Sequence, residues 1–217
     1  MFVGHYAAAI AAKAAQPKGR LWVYALAAQL VDVAWGGLVI AGIERVRVDP
    51  ELPGSALVLE HMPYTHSLPA AVAWSLAGAA AARLILRTPI AVAVAVGAIV
   101  FSHWLLDLLV HRPDLALWPG GPMVGFGLWN YPVPEQALEI GLIALAAVAW
   151  GWRNGRDGLG WRAPAVFIGL LVALQILAMF LPAADNAVGT GLSALGAYLA
   201  VILVAAFVDR ERPAATG

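Results

Sequence analysis

The chain has 217 residues, of which 62% are hydrophobic and 12% charged, with thirteen Lys and Arg balancing thirteen Asp and Glu. Soluble domains carry roughly 25% charged residues, so this composition describes an integral membrane protein, and a zero net charge excludes the basic face that a nucleic-acid partner needs. There is no cysteine, which excludes disulfides and thiolate metal ligands and leaves only nitrogen and oxygen for any metal.

In chain order, the first apolar segment covers 2–15 and is interrupted by His5 and Lys13. It lacks the basic residues that precede the core of a signal peptide, so a retained, short N-terminal membrane helix is expected. Six clear spans follow at 21–43, 68–86, 89–110, 134–152, 164–181 and 187–208, each near the about 20 residues that cross a bilayer as helix. The breaks between them, "QPKGR", "RTP", "RNGRDG" and "LPAAD", carry Pro, Gly and charge. The expected fold is therefore all-α: a polytopic helical membrane protein with six transmembrane helices plus the short N-terminal one. It forms a single integral membrane domain over 1–217, with a metal-site half at 1–122 and a helical support half at 123–217. Membrane lipids are its expected surroundings.

Orientation follows from the basic residues, because cytoplasmic loops hold the positive excess. Lys13, Lys18, Arg20, Arg83, Arg87, Arg153, Arg156, Arg162, Arg210 and Arg212 fall at one set of loops and the C-terminal tail; only Arg45, Arg47 and Arg112 fall at the other. That asymmetry puts the loops 44–67, 111–133 and 182–186 on the outer side. All five histidines, His5, His61, His66, His103 and His111, then lie at one face.

This convergence is the sequence argument for a site. In "SHWLLD" His103 and Asp107 are four apart, with His111 four further on, so one helical stripe carries all three. His61 and His66 come from "HMPYTHS" on the outer loop. Asp32 lies mid-span in "LAAQLVDVAWGGLVIAG", one turn after Gln29, and an ionisable residue at that depth is costly unless paired or solvated. Each residue also has a plainer reading. His111 suits a membrane interface, His61 a hydrogen bond within its loop, and Thr65 or Ser67 a helix cap, while Asp32 would serve as a polar contact between helices, although Ser or Asn would do so at lower cost. Two carboxylates and several imidazoles on one face favour a metal site. A catalytic zinc takes such ligands and keeps a position open for water, and His103 with Asp107, closed by Asp32 and His66, would hold it on rigid helices. Iron or manganese fits the same ligand types.

Taken in order, "GHY", an Asp on the next helix, "HMPYTHS", "SHWLLD" and the Trp-Pro of "LALWPGGP" resemble the LexA-binding, inner-membrane-associated hydrolase family of bacterial membrane proteins, described as metal-dependent hydrolases. The resemblance covers residues 1 to about 122. The order of the ligand types is also similar, more distantly, to that of zinc-dependent phospholipase C. The resemblance implies His5, Asp32, His66, His103 and Asp107 as ligands of a divalent metal such as zinc, His61 as a neighbouring polar residue of the catalytic site, and residence in the bacterial inner membrane. The chain departs from the family at its Asp: where the family has Pro-Asp-x-Asp-His, this sequence has "LVDVAW" and lacks the second Asp and His of a fuller, multi-metal site.

Glu135 and Glu139, four apart at the outer start of a span, are candidates for the general base, although Pro134 beside them also suits Glu135 to stabilising a helix start. The glycine-rich "WPGGPMVGFGLWN" lacks the Lys-Ser/Thr of a phosphate loop and reads as a buried outer loop or lid. The expected activity is hydrolysis by a metal-activated water near the outer interface, acting on a phosphoester or ester of a lipid-like substrate. A metal-ion or proton-coupled transporter is the alternative. It would need polar groups continuing toward the cytoplasmic side, where the spans offer almost none.

Overall fold

The computed structural model describes residues 1–181 and 184–210, the last of these by its backbone alone. The expected outer loop 182–186 falls partly, and Arg212 wholly, outside them. Seven α-helices account for most of the chain: α1 (Tyr6–Ala15), α2 (Leu21–Ile40), α3 (Leu68–Leu84), α4 (Ile90–Val110), α5 (Pro132–Arg156), α6 (Arg162–Phe180) and α7 (Ala187–Arg210). Five of them, α2 and α4 to α7, are long and apolar enough to cross a membrane, so the expected count of six spans plus an N-terminal helix is corrected. α3 has only 17 residues. α1 has ten and at 1.5 Å per residue reaches about 15 Å, half a bilayer core.

α1 is better described as a plug than as a span. Val3, Tyr6, Ala9 and Ile10 are fully buried, because this short helix packs against α2 and α5 inside the bundle. A single 3-10 turn, Val3–His5, leads into it. α2 and α7 approach closely where glycines meet: a Cβ added at Gly191 would lie 3.1 Å from the carbonyl oxygen of Gly36. Small residues of this kind let membrane helices pack backbone to backbone.

The all-α polytopic expectation holds, with a small addition. Two antiparallel hairpins stand on the bundle, β1 (Arg45–Val48) with β2 (Leu57–His61), and β3 (Leu115–Ala116) with β4 (Met123–Val124). Val46 and Leu59 face inward and are buried with Trp35, Val39, Met62, Leu115 and Trp129 in a small apolar cluster. The alternation of "RVRV" gives β1 one dry and one wet face, as period-two patterning requires. The glycine-rich segment turns back over the end of α4: Phe126 N–H donates to Leu108 O at 2.8 Å and Gly127 N–H to His111 O at 2.7 Å. Gly125, at φ +154, brings its backbone against the Arg112 and His111 carbonyls, leaving no room for a side chain. Arg112 joins both hairpin regions, donating to Pro53 O at 2.8 Å, Ser55 O at 3.1 Å and Asn130 Oδ1 at 2.9 Å. The expected lid is thus a strapped cover over the helix ends.

Candidate metal centre

Beneath this cover, α2, α4 and the start of α3 converge with the N-terminal turn. Ser67 begins α3 by accepting from Ala70 N–H at 3.3 Å and donating to Pro63 O at 2.8 Å, a side-chain cap of the usual N-terminal kind. Two indoles peg the preceding loop: Trp74 donates to Tyr64 O at 2.9 Å and Trp104 to His66 O at 3.0 Å. His66 is thereby held at the mouth of the bundle, opposite Asp32 on α2 and His103 and Asp107 on α4. His5, Asp32, His66, His103, Asp107 and His111 are all buried.

The contacts close on two carboxylates. Asp32 Oδ1 lies 3.3 Å from both His66 Nε2 and His103 Nε2. Asp107 Oδ2 lies 3.2 Å from His103 Nε2 and 3.7 Å from His66 Nε2. Asp107 Oδ1 faces elsewhere, 3.1 Å from His5 Nε2, 3.5 Å from His111 Nε2 and 3.4 Å from the amino nitrogen of Met1. The rings of His5 and His103 stack in parallel with centroids 3.7 Å apart.

What the other ring nitrogens do fixes the chemistry. His103 Nδ1 is 2.8 Å from Ala28 O; a carbonyl only accepts, so this nitrogen carries the proton. His66 Nδ1 is 2.7 Å from Thr65 Oγ1, whose hydroxyl is committed to Glu44 Oε2 at 2.6 Å, so His66 too is protonated at Nδ1. His111 Nδ1 is 2.9 Å from Asp114 Oδ1. In the neutral tautomer all three rings therefore present a bare Nε2 lone pair to the carboxylates. Lone pair against carboxylate is repulsive and needs a cation between them. Protonating the rings would answer this only by burying several imidazolium ions around two aspartates. A metal ion does so directly, and ligand imidazoles backed at the far nitrogen by a carbonyl, hydroxyl or carboxylate are the usual arrangement.

The spacing agrees. Bonds of about 2.0–2.1 Å in a tetrahedron set zinc ligand atoms about 3.3–3.4 Å apart. The ring Asp32 Oδ1, His66 Nε2, Asp107 Oδ2, His103 Nε2 has edges of 3.3, 3.7, 3.2 and 3.3 Å. Two overlapping triads, Asp32–His66–His103 and His5–His103–Asp107, have ligand atoms within 4.8 Å of one another. His103 Nε2 and Asp107 Oδ2 are buried with no hydrogen-bond partner among the described residues. These buried clusters can hold a metal ion.

The five residues expected as ligands are all brought together. His111 joins them as well, against its plainer reading as an interfacial residue: it is buried beneath Trp129, ring centroids 4.1 Å apart. His61 is not brought in; it sits exposed at the end of β2, edge-on to Tyr64. Glu139 is buried, and its carboxylate accepts from the N–H groups of Phe2 at 3.0 Å and Gly4 at 2.8 Å, holding the turn that carries His5. Glu135 accepts from Gln136 Nε2 at 2.8 Å. Two participants escape sequence reading. Glu44 anchors the relay to His66 and also accepts from the N–H groups of Tyr64 and Thr65 at 2.9 and 3.1 Å. Tyr198, on α7, donates to Asp32 Oδ2 at 2.9 Å. That bond leaves Oδ1 to face the histidines.

The fold and cluster together define a polytopic helical membrane protein with a buried His/Asp centre. Residues 1–207 match the YdjM inner membrane protein family, and the chain belongs to that family of multi-pass inner-membrane proteins. No curated protein and no solved structure matches it.

Proposed function

We propose that the protein is a metal-dependent hydrolase of the inner membrane, with zinc held by Asp32, His66, His103 and Asp107, and that its substrate is a phosphoester or ester of a lipid-like molecule. The observation that carries this reading is the shared tautomer of His66, His103 and His111, each held at Nδ1 so that Nε2 faces the carboxylates. A bound metal would supply a water acidic enough to attack near neutral pH. The chain's own residues bind the ion, orient the ligand rings through Ala28 O and the Thr65–Glu44 relay, and exclude bulk water with the hairpins. The resemblance to membrane-bound metal-dependent hydrolases points the same way.

Depth supports an amphiphilic substrate. Asp32 lies eight residues from the end of α2 and His103 seven from the end of α4, so both sit about 10–12 Å below the helix ends. The Lys and Arg excess gathers at the opposite end, which supports a centre toward the outer face. Below Gln29, the buried interior runs through Ile10, Tyr24, Val92, Val96, Trp150 and Phe167 before the Lys13–Asp209 pair closes the far end. That apolar floor favours a site open to one side over a transport path. The test is metal analysis of purified protein together with release of product from an ester or phosphoester lipid, with and without chelator. About one zinc or more per chain and chelator-sensitive hydrolysis are expected. Protein free of metal, taking up none on addition of zinc, would sink the reading, and so would full metal content in Asp32→Asn, which keeps the side chain's size but removes its charge.

A further inference from the structure

The two hairpin regions over the helix ends are of opposite kinds. On the β1–β2 hairpin Arg45, Arg47, Glu51 and Glu60 are exposed, and Arg47 pairs with Asp49 and Glu60 at 3.1 and 3.7 Å. Residues 115–134, which carry β3 and β4 and lead into α5, contain no charged side chain. What they turn outward is apolar: Trp118 is 52%, Met123 51% and Phe126 74% exposed. Water gives a loop no reason to gather such a surface, and an exposed apolar patch marks a contact with something other than solvent.

Depth identifies the contact. Phe126 N–H donates to Leu108 O at 2.8 Å, and Leu108 is two residues inside the end of α4. Phe126 is therefore held about 3 Å below the end of a helix long and apolar enough to cross a membrane. At that level the bundle also exposes Leu109 on α4 and Tyr131 and Val133 at the start of α5, so the patch continues the lipid-facing surface of two spans. Its backbone suits the place. At the tip, Leu117 N–H donates to Pro122 O at 2.9 Å and Gly121 N–H to Trp118 O at 2.8 Å, and Pro119 and Pro122 bring no N–H that lipid would leave unsatisfied.

We infer that residues 117–126 are an interfacial anchor: Trp118, Met123 and Phe126 seat at the headgroup–hydrocarbon boundary of the leaflet at the hairpin end, and their partner is the lipid surface itself. An aromatic, uncharged surface favours that boundary. The same stretch of chain lays Trp129 on His111, with ring centroids 4.1 Å apart, and ties Gly127 N–H to His111 O at 2.7 Å. The membrane surface is thereby coupled, through a few residues, to the cover of the His/Asp centre. The anchor needs no bound metal, so it stands apart from the hydrolase reading.

The test uses the full chain in vesicles of phosphatidylcholine and phosphatidylglycerol. The sequence has no cysteine, so a nitroxide can be attached at Met123→Cys or Phe126→Cys, with Glu51→Cys on the charged hairpin as the control. Power saturation then compares collision with oxygen, which concentrates in lipid, and with a water-soluble nickel chelate. Oxygen is expected to dominate at the two loop positions and nickel at the control. Adding Phe126→Asp to the Met123→Cys chain is expected to shift that label toward nickel, because one charge draws the tip out of the boundary. Nickel contact at both loop positions equal to that at the control would overturn the anchor. So would labels shielded from both reagents whose spectra sharpen on dilution with unlabelled chain, since a second copy would then cover the patch.

Discussion

The bundle buries charge at both ends, and the two ends handle it differently. Away from the hairpins, Lys13 donates to Asp209 at 3.2 Å and to Gly19 O at 2.5 Å, and Asp209 accepts from Trp22 N–H at 3.2 Å. Cation and anion are both supplied by the chain, each makes a further hydrogen bond to the backbone, and the pair ties the α1–α2 turn to α7. At the hairpin end, two aspartates meet ring nitrogens whose tautomers aim lone pairs at them, and the chain's one cation there among the described residues, the Met1 amine, reaches only Asp107 Oδ1. The first arrangement is complete as it stands. The second asks for a positive guest. Burying unbalanced charge costs several kcal/mol per ion, and a fold tolerates it where binding offsets that cost.

The comparison can be broken at its strongest point first. Asp107→Ala removes the carboxylate that faces four of the buried histidines, and loss of all bound metal is expected; zinc is expected to raise the unfolding temperature of the parent by binding only the native state and to leave the variant's unchanged. Retention of even one tight ion in Asp107→Ala would mean that the centre is assembled differently. At the other end, Lys13→Met should lower stability by about 3 kcal/mol, the low end for breaking a buried pair because Asp209 is partly open, with metal content unaltered. Metal loss in that variant would show that the two ends are not independent. A smaller effect is expected of Thr65→Val, which cuts the Glu44–Thr65–His66 relay without touching a ligand: metal affinity should fall about 10–100-fold in a chelator competition. An unchanged affinity would reduce Glu44 to a loop anchor. The smallest effect belongs to His61→Ala. Its exposure predicts a stability change within about 0.5 kcal/mol and unchanged tight metal binding, and a clear drop in hydrolysis would return His61 to the catalytic group.

Much of this centre is legible in the sequence, for physical reasons that differ by residue. His103 and Asp107 declare themselves because a helix period of 3.6 stacks i and i+4. Asp32 stands out because nothing else in its span is charged, and His66 because it shares an outer loop end with the rest. Tyr198 is hidden: it lies 166 positions from Asp32, and a tyrosine in an apolar span resembles an interfacial aromatic. Glu44 follows a span directly and reads as an ordinary solvated charge, although it is 1% exposed. The short N-terminal segment has the composition of a membrane helix but not the length, and only packing shows it wedged between α2 and α5. β1 carried a weak signal in the alternation of "RVRV"; β3 and β4, two residues each, are too short for any periodicity.

α3 gives the centre a relation to its solvent. Its 17 residues amount to about 26 Å, against a hydrocarbon core of about 30 Å. Were α3 to cross as well as the five longer helices, the membrane meeting this flank would thin locally or let water reach the helix ends, at a cost of a fraction of a kcal/mol per Å. His66 lies two residues before the first residue of that helix, so thinning at that end would fall beside the candidate metal ligands. Headgroups drawn down at that end would come closer to the depth of Asp32, shortening the path that a lipid's polar end must take to reach it.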